Sequence, residues 1–163
     1  MSDPLTDGAP VVELVRALNA AGHTVATAES LTAGLLAATI AGVPGASAVL
    51  RGGLIVYATD LKSSLACVDD QVLRVDGPVA ASTARQLAAG ARKQCGADWG
   101  VGLTGVAGPD SQDGHPVGTV YLGLAGPQHS EVVRLKLDGD RWTIRLGAVH
   151  SAVRELLRCV IVE

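Results

Sequence analysis

Val11, Leu14, Val15 and Leu18 recur at the i, i+3, i+4, i+7 spacing of one helix face, and Gly22 in "AAGH" is the expected stop. The next segment, "HTVATAE", alternates into a short strand. "LTAGLLAATIAGVPG" then reads as a helix ended by its Pro-Gly pair. "RGGLIVYA" predicts a second strand, followed by a helical "LKSSLACV". In "GPVAASTARQLAAGARKQCGA", Ala84, Leu87, Ala88, Ala91 and Cys95 share one face of a longer helix, with Pro78 suited to its first turn. "DWGVGLTG" predicts a buried strand that runs into the glycine-rich "GVAGPDSQDGHPVG". "TVYLGLAG" and "EVVRLKL" predict a hairpin across "GPQH". A last helix is expected from about Asp140 to about Val160, with Val149, Ala152, Val153, Leu156 and Leu157 turned inward.

Strands and helices alternate through two thirds of the chain, and a strand pair plus a helix close it. That order predicts an α/β fold: a three-layer α/β/α sandwich on a mixed, mostly parallel sheet. Residues 1–8 are expected to be a disordered lead and residues 9–163 a single domain.

Composition narrows the core and the partners. Of 163 residues 48% are apolar, yet there is no Phe, and Trp99, Trp142, Tyr57 and Tyr121 are the only aromatics. The core must come from small and aliphatic side chains, which favours close approach of helix to sheet. A net charge of -3 creates no basic field for a polyanion, so nucleic acid is disfavoured as a partner. Cys67, Cys95 and Cys159 lack the paired spacing of a zinc site or a disulfide framework and read as buried thiols. No metal ligand set and no cofactor are expected. Without a signal core or a run long enough to cross a bilayer, the chain is expected to be cytoplasmic, with no membrane partner.

The candidate chemistry lies where strands give way to helices. Ser30 in "TAESLTAG" has two readings: an N-cap, or a nucleophile whose oxyanion would meet the N–H groups around Leu31 to Gly34. None of His23, His115, His129 and His150 stands in a triad context. Lysine can replace histidine as the base when desolvation lowers its pKa. Lys62 is the best placed, although a solvated surface lysine is the ordinary alternative. Tyr57 is either a phenol at a strand end with its hydroxyl wet, or the group that orients or passes a proton between Ser30 and Lys62. The loop after Thr104 lacks the spacing of a P-loop. It is either a surface loop or a backbone cradle from Gly105 to Pro109. Arg141 and Arg145, four apart at a helix start, share a face suited to a phosphate, whereas Arg154 and Arg158 point elsewhere and read as solvated.

In order, "TAESLTAG", "RGGLIVYATDLK", "GLTGVAGPD", "PVGTVYLGLAG" and "DGDRWTIR" resemble the motifs of the CinA C-terminal domain family, which includes the PncC-type nicotinamide mononucleotide deamidases. The resemblance covers nearly the whole chain. It implies an α/β/α amidohydrolase with a serine-lysine mechanism, with Ser30, Tyr57 and Lys62 at the catalytic positions. Glu29, Thr32, Gly34, Thr104, Gly105, Gly108, Arg141 and Arg145 would bind a small nucleotide substrate, with no metal. The implied reaction turns the nicotinamide carboxamide into nicotinate and ammonia. A homo-oligomer, with a dimer favoured, is expected. Three departures stand out: Ala33, where the family more often has a second glycine; Ala80, where it more often has serine; and "QDGH" before "PVGTV", where a charge cluster is usual. The rival expectations are a non-catalytic nucleotide-binding or competence/DNA-damage-associated protein on the same fold, and an amidase for another small amide.

Overall fold

The computed structural model describes residues 3–162. The elements are α1 (Val11–Ala21), β1 (Val25–Glu29), α2 (Leu35–Ala41), β2 (Leu50–Ile55), α3 (Thr59–Ser64), α4 (Asp70–Val75) and α5 (Ala81–Cys95). They continue with β3 (Trp99–Gly105), β4 (Thr119–Ala125), β5 (Ser130–Lys136) and α6 (Arg141–Val162). The five strands form one sheet in the order β2-β1-β3-β4-β5. The pairings of β1 with β2 and β3 are parallel, and those of β4 with β3 and β5 are antiparallel. The expected α/β/α sandwich is the observed one.

Alternation along the strands sorts the core into two layers. Val25, Trp99, Val101, Leu103, Val120, Leu122 and Leu124 join Leu14, Leu18, Leu36, Ile40, Ile144, Val149 and Val153, so α1, α2 and α6 cover this face. Ala26 and Ala28 point the other way and meet Leu87 and Ala91 of α5. Beneath α5 the sheet presents bare backbone. A Cβ built at Gly100 would stand 2.0 Å from the Ala88 carbonyl oxygen, and one at Gly102 2.6 Å from the Ala88 nitrogen. A chain without Phe therefore fills this layer by close approach rather than by side-chain bulk.

Several boundaries differ from the sequence reading. The helix expected from Leu31 begins only at Leu35, because Ala33 (φ 48) and Gly34 (φ 96) are left-handed and interrupt it. Pro78 precedes α5 rather than starting it, since the extended Ala80 is the N-cap. The short α4 was not anticipated; Asp69 caps it by accepting from the Gln71 N–H. The segment expected to be a disordered lead contains a 3-10 turn at Pro4–Thr6, capped by the Asp3 carboxylate. Arg154 ties the segment down by donating to the Gly8 carbonyl; Met1 and Ser2 lie outside the described residues. Of the three thiols expected to be buried, Cys159 is buried, Cys95 is half-buried and Cys67 is exposed in a turn with φ 58. Among the described residues no helix is long and apolar enough to cross a membrane.

Candidate active site

Parallel pairing sets Glu29 of β1 beside Ile55 of β2 on one side and Leu103 of β3 on the other. β1 and β2 therefore end together, so Ser30 and Val56 leave the sheet beside Thr104, which still pairs with Tyr121 of β4 near the end of β3. The Ser30 N–H still donates to the Leu103 carbonyl, 2.9 Å away. Beyond it, Ser30 to Ala33 close a tight turn through the Ala33 N–H and the Ser30 carbonyl, 3.1 Å apart. Ser30 is thus no helix cap. That role falls to Glu29, whose buried carboxylate accepts from the Leu36 and Ala37 N–H groups at 2.8 and 3.0 Å and from the Thr27 hydroxyl at 2.9 Å. A carboxylate there answers the positive end of α2.

The Ser30 hydroxyl meets Lys62. The lysine lies in α3, which folds back over the strand ends, and only 2% of its surface is exposed. Its Nζ lies 3.0 Å from Ser30 Oγ, 2.8 Å from the Val56 carbonyl and 3.3 Å from the Tyr57 carbonyl. Among the described residues no carboxylate pairs with it. Desolvation therefore pushes its pKa down from 10.5 to about 8. A neutral amine keeps two N–H bonds, enough for the two carbonyls, and turns its lone pair to the serine hydroxyl. That arrangement can take a proton from Ser30 and return it to a leaving group.

The cleft around this pair is lined by Thr59, Pro78, Val79, Thr104, Gly105 to Gly108, Asp110, Gln112 and Arg141. Thr104 is buried and donates to the Pro78 carbonyl at 2.6 Å, which ties the β3 end to the loop before α5. The N–H groups of Ala107 and Gly108 donate to no described residue, so this wall offers free backbone donors. Arg141, at the start of α6, donates to the Gly108 carbonyl and, at 2.7 Å, to the Tyr57 hydroxyl. It straps the cleft mouth from one wall to the other.

Five of the expected site roles change in the structure. Tyr57 is 55% exposed, and its hydroxyl bonds to Arg141 rather than standing between Ser30 and Lys62, which touch directly. It contributes its backbone carbonyl to the lysine and its ring to the cleft mouth. Glu29, Thr32 and Gly34 lie outside the cleft lining. Glu29 is committed to α2, the Thr32 hydroxyl is buried without a partner among the described residues, and Gly34 is the left-handed residue that precedes α2, beside Ile55. Arg145 does not converge with Arg141: it donates to the Leu31 carbonyl at 2.9 Å and the Thr32 carbonyl at 3.4 Å. It braces the turn that follows the serine and lies over Trp142, 5.8 Å from the ring centre. Asp110 and Gln112 were not singled out from sequence. The "GPD" motif was the only signal for Asp110.

A family model, the CinA C-terminal domain, matches residues 9–160. The chain belongs to the CinA C-terminal domain family. A CinA-like protein of Frankia casuarinae is 49% identical over 130 residues, 80% of this chain and 30% of that protein. A putative competence-damage inducible protein of Streptococcus pneumoniae is 45% identical over 140 residues, 85% of this chain and 34% of that protein. The chain thus spans about a third of the length of these curated relatives. Among solved structures, a competence-damaged protein (CinA) superfamily protein of Klebsiella pneumoniae superposes with a TM-score of 0.91 at 28% identity, covering 94% of this chain and 96% of that one. The competence/damage inducible protein of Agrobacterium tumefaciens gives 0.85 at 33% identity, covering 93% and 95%.

Proposed function

We propose that this CinA domain is an amidohydrolase that deamidates nicotinamide mononucleotide to nicotinate mononucleotide and ammonia. The observation that carries the reading is the 3.0 Å contact between Lys62 Nζ and Ser30 Oγ, made by a buried lysine whose pKa has fallen to about 8. Neutral Lys62 takes the hydroxyl proton as Ser30 Oγ attacks the carboxamide carbon, giving a tetrahedral oxyanion. Collapse expels ammonia, which carries away the proton held by Lys62, and leaves an acyl ester on Ser30. Water then attacks the ester with Lys62 again as base, releasing the carboxylate and restoring the serine. Arg141 and the free N–H groups of Ala107 and Gly108 supply the positive field for the substrate phosphate. A cytoplasmic homodimer is the proposed setting, checked by size-exclusion chromatography with light scattering.

The deciding experiment measures ammonia released from the mononucleotide, with nicotinamide and glutamine beside it. Release that depends on the phosphate and on Ser30 supports the reading; none above a folded Ser30→Ala control removes it. The names of the pneumococcal relatives favour a second reading, a non-catalytic competence-associated nucleotide binder. Saturable nucleotide binding without turnover would support that one.

A further inference from the structure

At the opposite edge of the sheet, three side chains from two distant parts of the chain bring donor atoms together within 4.8 Å of one another. His129 ends the β4–β5 turn, Glu131 is the second residue of β5, and Cys159 sits near the C-terminus of α6. His129 Nε2 lies 2.9 Å from Glu131 Oε2 and 3.4 Å from Cys159 Sγ, and the sulfur is 3.9 Å from the same carboxylate oxygen. Atoms with these separations fall on a circle of radius about 2.0 Å, close to the ~2.0–2.3 Å bonds that zinc makes to nitrogen, oxygen and sulfur. We propose that His129, Glu131 and Cys159 form a binding site for a borderline-soft divalent cation of the zinc class, remote from Ser30.

The donor set selects the ion. One imidazole, one thiolate and one carboxylate suit zinc and its neighbours and do not suit magnesium or calcium, which take oxygen ligands. Binding would release the Cys159 thiol proton to solvent and keep the His129 proton on Nδ1, so that three lone pairs face the cation. His129 and Glu131 are about one-third exposed, which leaves the fourth position to water. His129 also lines a surface cavity together with His23, Pro127, Gln128 and Val162.

The surroundings already hold the ligands in place. Arg158 donates to both oxygens of Glu131 at 2.9 and 2.8 Å, and to Glu155 at 2.8 Å. It fixes the carboxylate as outer-shell partners of metal ligands do. The dication, the thiolate, two carboxylates and the guanidinium sum to zero charge. The His129 ring also lies 6.0 Å from that of the buried Trp99. An ion here would staple the β4–β5 hairpin to the last turn of α6. Cys159 is about 27 Å from Arg141 along that helix, at ~1.5 Å per residue, so the site stands apart from the proposed amidase chemistry.

The test is a cobalt titration of chelator-treated, dialysed protein. One equivalent of Co2+ should produce a thiolate-to-cobalt charge-transfer band that is absent in Cys159→Ser. His129→Gln, on the half-exposed turn, should weaken binding by more than the ~10- to 100-fold typical of losing an outer-shell partner. Zn2+ should raise the Tm of the wild type and not that of His129→Gln. The Cys67→Ser/Cys95→Ser double variant should keep the band. No band in the wild type, a band that survives Cys159→Ser, or a band lost in the double variant overturns the site. Ammonia release is read separately on the same samples and is expected to be indifferent to the ion, so failure of the metal site and failure of the amidase reading are distinguishable.

Discussion

Lys62, at the edge where β1 and β3 end, is a buried cation surrounded by a hydroxyl and two carbonyls, and its pKa is pushed down to about 8. Arg158, at the other edge, is an exposed cation held by Glu131 and Glu155, and its pKa is driven upward by those carboxylates. The same fold thus makes one positive group ready to give up its proton and fixes the charge of another. Burial without a counter-ion produces a base; pairing at the surface produces a brace. The contrast makes particular claims that substitutions can break.

Ser30→Ala should have the largest effect, a loss of ~10⁴-fold or more in kcat, since nucleophile removal leaves only binding and oxyanion terms. Ammonia release under single-turnover conditions checks it. Lys62→Met, of similar length, should cost ~10² to 10⁴-fold. Near-normal turnover would take Lys62 out of the mechanism.

The pH profile sharpens the same point. Because Lys62 must be neutral to act, kcat/KM of the wild type should rise with pH through a limb near 8. Stability carries a matching signature. The folded pKa lies below the unfolded value, so between about 8 and 10.5 the unfolded chain holds more protons and folding stability should rise with pH. Urea midpoints of wild type and Lys62→Met, compared across that window, should show the wild type gaining on the variant. Parallel curves would mean that Lys62 is not a depressed base.

The two arginines one helical turn apart should then separate. Arg141→Ala should raise KM by ~10- to 150-fold, the worth of one charge-assisted contact, with a smaller change in kcat. Arg145→Ala should instead lower kcat by ~10- to 100-fold, because it loosens the turn after the nucleophile without touching the cleft. Arg154→Ala, whose partner is the Gly8 carbonyl, should change either constant by less than about twofold. The smallest effect belongs to chelation, expected to leave ammonia release unchanged while it lowers the Tm if the His129 site is loaded.

Much of this was legible in the chain. Periodicity placed α1, α5, α6 and the strands through their apolar positions, whereas the short α4, with no buried residue, gave no such signal, and the motif around Ser30 was readable because its residues are consecutive. Ser30 and Lys62 are 32 positions apart. Their proximity follows from parallel pairing, which spacing alone does not reveal. Arg145 illustrates the limit from the other side: its shared face with Arg141 was correct helical geometry, but carbonyls from the Ser30 turn, brought in by the fold, claim its guanidinium. The preference for glycine at position 33 acquires a reason in the left-handed φ of 48° there, which Ala33 adopts at a cost of ~1 kcal/mol. The His129 cluster was hidden because Cys159 joins it from 30 residues away, whereas zinc spacing is recognisable only when ligands come in close pairs.

The glycine floor beneath α5 limits how the interior can change. A helix resting on side chains accommodates an added methyl by rotamer shifts; one resting on backbone has nothing that can turn aside. A methyl at Gly102 would meet the Ala88 nitrogen, the Ala84 oxygen and Leu87 Cβ within 2.7 Å, so α5 must rise as a unit. The loop entering α5 carries Pro78 and Val79, which line the cleft, and Thr104 holds that loop by the Pro78 carbonyl. Gly102→Ala, beneath α5 and outside the cleft lining, would therefore re-shape the cleft wall through the loop that enters α5.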